Sequence, residues 1–143
     1  MPCVQLLAIA EQMLEGEIAY RRGEHDTAFA HLRAAIRLED DLPYDEPWGW
    51  MQPVRHALGA LLLEQGRTTE AEAVYREDLG LVGTLPRAQI HPDNVWAMRG
   101  LLDCLDRRGE TAEAPLIRQR VTLAAARADL PVLVSCFCAS ATA

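Results

Sequence analysis

The chain has 143 residues and a mass of 15.9 kDa. That is the length of one domain and enough to bury roughly 70% of the unfolded surface without disulfide staples. Half of the residues are hydrophobic and 24% are charged, a globular composition that excludes a disordered tail. Twenty-one acidic against 14 basic side chains give a net charge of -7, which argues against binding nucleic acid or an anionic membrane, since both need clustered positive charge.

In chain order, helical spacing of apolar residues predicts helices over 3–21, 26–39, 52–65, 68–80, 94–107 and 111–128, followed by an extended tail over 129–143. Leu58, Leu61, Leu62 and Gln65 show the i, i+3, i+4, i+7 pattern, and Ala71, Val74, Tyr75 and Leu79 mark the next stripe. Gly23, Gly66 and Gly109 fall between paired helices, where a left-handed residue ends the first of each pair. Asp26, Thr68 and Thr111 are the expected N-caps of the second helices. The three glycines are spaced by 43 residues, and Ala28, Ala71 and Ala114 keep the same interval. A constant period of this length signals an array of helical hairpins. Small residues at Gly16 and Gly59, with the three alanines, would let the helix backbones approach closely. Pro115 falls in a first helical turn, where proline is tolerated. The stretch Leu130–Ala143 is too short to span a bilayer, which takes about 20 apolar residues. The start Met1-Pro2-Cys3-Val4 lacks the basic lead of a secretion signal. The expectation is a soluble, cytoplasmic protein with reduced cysteines.

In this pattern the chain resembles the tetratricopeptide repeat family. Gly16, Gly23, Ala28, Leu32 and Ala35 match it in the first unit. Leu58, Gly59, Leu62, Gly66, Ala71 and Tyr75 match it in the second, and Leu101, Leu105, Gly109 and Ala114 in the third, where Leu102 stands at the small-residue position. The resemblance implies an all-α fold: three antiparallel hairpins, about 3–39, 52–80 and 94–128, stacked as a short right-handed solenoid. The family period is about 34 residues, so the longer interval here belongs to the connections Asp40–Trp50 and Val82–Pro92. Tyr44–Trp48, His91–Trp96 and the ending Ala128–Cys138 are similar to the C-terminal part of longer repeat proteins with no established activity, which implies that the chain could be a piece of something larger. Those relatives carry more cysteine and histidine around the third unit, where this chain has Gln89, Arg99 and Leu102.

The resemblance also implies a concave groove lined by the first helix of each unit. Its side chains would be Glu17, Tyr20 and Arg21 from the first unit, His56 from the second, and Trp96, Arg99 and Asp103 from the third. The expected function is non-catalytic capture of a protein or peptide, with the aromatics supplying area and Arg21 or Arg99 pairing a carboxylate. No GxxxxGK[ST], GxGxxG, GxSxG or HExxH pattern is present, so an enzyme is not expected and no cofactor is required. Trp48, Trp50 and Trp96 cluster at the starts of the second and third units and are read as packing in the longer connections, with a partner-binding anchor as the other reading. Cys104 lies on an apolar stripe and reads as a small buried hydrophobe. Cys136 and Cys138 form a C-x-C whose thiols would share one side of an extended chain. The alternative function is therefore metal handling, with zinc or copper held by Cys136, Cys138 and either His91 or Cys104, or thiol redox chemistry. Beside it stands the reading that the apolar tail folds back over an exposed end of the array with its cysteines simply packed.

Overall fold

The computed structural model describes residues 3–139, and every regular element among them is helical. The helices are α1 (Cys3–Arg21), α2 (His25–Asp40), α3 (Val54–Glu64), α4 (Thr68–Asp78), α5 (Val95–Arg107) and α6 (Ala114–Ala125), with one 3₁₀ turn at Arg87–Gln89. No helix among the described residues is long and apolar enough to cross a membrane. The chain forms two compact units, Met1–Leu58 and Gly59–Ala143.

Three helix ends share one hydrogen-bond pattern. Gly23 N–H donates to Tyr20 O and Glu24 N–H to Ala19 O; Gly66 and Arg67 donate to Leu63 and Leu62; Gly109 and Glu110 donate to Asp106 and Leu105. The glycines have φ of +81°, +71° and +67°, the left-handed conformation that closes a helix with two returning N–H groups. The side chains expected to cap the following helices do not do so. The residues at the caps are Glu24, Arg67 and Glu113, none with a side-chain cap bond. The turn is too tight for a separate cap: Glu24 closes α1 through its N–H and opens α2 by accepting from Ala28 N–H, and Arg67 accepts from Ala71 N–H in the same way. The third turn is looser. The Glu110 carboxylate accepts from Ala112 and Glu113 N–H, and the helix begins at Ala114, three residues later than the spacing predicts. Pro115, without an N–H, then sits in the first turn at no cost.

In the first unit, α2 turns Ala28, Phe29, Leu32 and Ala35 inward against α1. A Cβ on Gly16 of α1 would come within 3.0 Å of Leu32, so glycine sets the approach of the two helices as expected. The end of α2 also anchors the chain that follows. Asp40 takes a two-pronged bond from the buried Arg55 at 2.6 and 2.8 Å, and Glu39 accepts from Val54 N–H. In the second unit α5 packs on both α4 and α6. It buries Met98, Leu101, Leu102, Cys104 and Leu105, while Asn94 accepts from Trp96 and Ala97 N–H and caps its start.

At the centre of the second unit the ring of Tyr75, fully buried on α4, lies between Gly59 of α3 and Gly100 of α5. A Cβ at either glycine would sit closer than 3.0 Å to that ring. Gly59 is the expected small residue. Its counterpart is Gly100, two residues before Leu102, the position that the 43-residue period points to.

Candidate functional site

Below the Tyr75 ring, α3 and α5 leave an open cavity of ≈ 300 Å³. Ala60 and Leu63 form its α3 wall, and Arg99 and Asp103 its α5 wall. The remaining side is the protein's own tail. Residues 126–139 carry no regular secondary structure, and Leu133, Val134 and Ser135 line the cavity. Ser135 and Cys136 are buried, and the Ser135 hydroxyl shares a hydrogen bond with the Tyr75 hydroxyl. Burial pushes the Tyr75 phenol far above its usual range, so it stays protonated and can donate. Beyond it the Phe137 ring meets Trp96 edge-on, with centroids 5.7 Å apart.

The polar wall is an ion pair with slack in it. Arg99 Nη2 lies 2.7 Å from Asp103 Oδ1, one helical turn along α5. Arg99 Nε is buried without a hydrogen-bond partner, so the guanidinium retains an unused donor. Burial raises the Asp103 carboxyl above its usual range even though Arg99 pulls the other way, a sign that the pair is partly stripped of water. Arg107 donates to the Leu63 carbonyl at 2.6 Å and ties α5 to the last turn of α3.

Of the side chains expected to form the groove, Arg99 and Asp103 line this cavity and Trp96 touches the tail beside it. The other four belong to the unit Met1–Leu58. There Glu17 is half-buried on α1. Tyr20 is a core residue rather than a groove aromatic, 6% exposed with its ring 6.2 Å from Phe29. Arg21 is exposed and lies over the Tyr20 ring at 5.6 Å. His56 is 5% exposed, which corrects the expectation of an accessible groove imidazole: the first ten residues of α3, Val54–Leu63, are all buried, so no face of that turn is left for solvent.

The C-x-C does not run extended. Ala139 N–H donates to Cys136 O, which turns the chain, and Cys136 and Cys138 are joined as a disulfide across Phe137. Among the described residues, no group of three or more His, Cys, Asp or Glu side chains is placed to hold a metal ion, so the set Cys136, Cys138 with His91 or Cys104 is not assembled. His91 is engaged elsewhere. Its Nδ1 lies 2.9 Å from Asp78 Oδ1 and its N–H donates to Asp78 O, which pins the connection after α4. Cys104 is buried and its thiol is pushed up to about 12, first by burial, so it is neither a thiolate ligand nor a nucleophile at neutral pH.

Tyr75 and Ser135 were not legible as site residues, since a tyrosine on a second helix reads as core and a serine in a tail as loop. The one available signal was Gly100, a helical glycine with no turn to make. Comparison of the chain with protein-family models, curated proteins and solved structures finds no match in any of the three.

Proposed function

We propose that the chain is a non-catalytic binding module of tetratricopeptide type, which takes an extended peptide segment of a protein partner along the face formed by α3 and α5. The observation that supports this most directly is that the face already accommodates non-helical polypeptide: Leu133, Val134 and Ser135 lie against it. Chain packed on a helical face contributes apolar area, and a few polar groups fix its register. Here Ala60 and Leu63 supply the area. The Arg99 guanidinium, one-third exposed beside Asp103, supplies N–H groups that donate to a partner's carboxylate or carbonyl oxygen. The non-catalytic reading rests on the absence of catalytic motifs in the sequence, and the proposed setting is cytoplasmic.

The test is selection of a random-peptide display library on the full chain, repeated on Arg99→Gln with helicity checked by circular dichroism. Enrichment of a peptide family on the parent and its loss on the variant is the expected result. Equal enrichment on both would remove Arg99 and its face from the binding surface.

The bonded pair Cys136–Cys138 favours the thiol-redox form of the alternative over the metal form. Cytosolic disulfides, where they occur, are commonly transient and redox-active. In that reading the pair takes two electrons and two protons from a small dithiol, which leaves as its own disulfide. Incubation with dithiothreitol followed by a thiol count and mass measurement tests it. Two new thiols and a gain of two hydrogens are expected, and no change at dithiol excess would end the idea.

A further inference from the structure

We infer that the tail is a built-in competitor for the α3–α5 face, and that the partner segment it stands in for carries a serine or threonine, then a small residue, then an aromatic. This rests on the peptide-binding reading above and names the chemistry of the occupant. Two sockets define it. Trp96 and Gly100 are four residues apart on α5, about 6 Å along one helix face. The Tyr75 hydroxyl reaches the face beside Gly100, because only glycine leaves room for its ring. Ser135 and Phe137 reach the two sockets from a turned segment, in which Ala139 N–H donates to Cys136 O.

The tail touches both, burying Ser135 in one and meeting the other only at the edge of the ring. Ser135 bonds Tyr75, Phe137 meets Trp96, and Cys136 between them is buried and small. Its hold is light. The Phe137 side chain is 82% exposed, and Leu130 and Leu133 on the approach are 78% and 60% exposed. A latch that leaves Phe137, Leu130 and Leu133 this exposed is displaced by a segment that adds a group for Arg99. Cysteine is not needed in the partner, because neither sulfur makes the contacts that define the sockets.

The probe is a fluorescein-labelled peptide of residues 130–139 carrying Cys136→Ser and Cys138→Ser, titrated with the full chain and followed by fluorescence anisotropy. Weak binding to the parent is expected, and about tenfold tighter binding to the full chain bearing Ser135→Ala and Phe137→Ala, since an unlatched tail no longer competes. On the peptide side, Phe137→Ala and Ser135→Ala in the probe should each weaken binding by roughly fivefold, with no effect on the protein's folding. A probe that binds the unlatched chain no better than the parent, or whose affinity ignores both peptide substitutions, overturns the inference. The display selection separates the two levels. Arg99-dependent peptides lacking the hydroxyl–small–aromatic pattern would leave the binding module standing and sink the tail as its template. A selection that enriches nothing on the parent or the unlatched chain would sink both.

Discussion

Tyr75 has two roles in the second unit: its ring separates two helices and its hydroxyl holds the tail. Gly100→Ala therefore sets two effects against each other. Alanine gains up to about 1 kcal/mol of helix propensity over glycine. Forcing a methyl into a ring fixed on both sides costs about 1–3 kcal/mol or more. The packing term should win, with a net loss read by chemical denaturation and a weakened tail read by faster amide exchange at Ser135 and Cys136, which are buried in the parent. Tyr75→Phe keeps the ring and removes one hydrogen bond, so about 1 kcal/mol is expected. Cys104 offers a second check at this scale. Its buried, protonated thiol should alkylate at least about a hundredfold more slowly than the exposed Cys3 at pH 8, with equal labelling only after unfolding.

At the scale of elements, the helix ends were the most legible feature. A glycine every 43 residues between apolar stripes specifies the same closing turn three times, because only a residue tolerant of positive φ completes the two returning bonds. The starts of the following helices were not legible, since sharing one residue between two helices removes the position where Asp26 or Thr68 would cap. Where a real connection precedes a helix, capping returns: Asn94→Ala should cost about 1 kcal/mol, measured as a lowered denaturant midpoint. Helices α4 and α6 are also tied by charge. Arg76 pairs with both Glu72 and Glu113, and the Arg76 guanidinium holds the Glu113 carboxyl below its usual range. A depressed carboxylate stabilises the fold above its ordinary pKa of about 4.3 and loses that contribution as pH falls toward the lower folded value. Because Glu113 is more than a third exposed, the effect is at most about 1 kcal/mol. Glu113→Gln should flatten the stability profile between pH 5 and 3 by about that amount, and an unchanged profile would show the pair to be idle.

At the scale of the whole molecule, an all-helical chain with packed hairpins follows from periodicity alone, but the place of the tail does not. Apolar composition offered, as one of two readings, a tail over 129–143 folded back on an exposed end of the array. Only the room left by Gly59 and Gly100 beside Tyr75 determines that it lands on α3 and α5. The same limit explains the groove residues. The resemblance pointed to Arg99 and Asp103, which line the cavity, whereas the burial of Tyr20 against Phe29 and of His56 within α3 was not legible from register. The most direct measurement is amide hydrogen exchange of the full chain, alone and saturated with the peptide of residues 130–139 carrying Cys136→Ser and Cys138→Ser. Bound peptide should speed exchange at residues 134–139 while the amides of α3 and α5 stay protected. Saturation with unchanged protection of that segment would contradict an α3–α5 face shared between the tail and a partner.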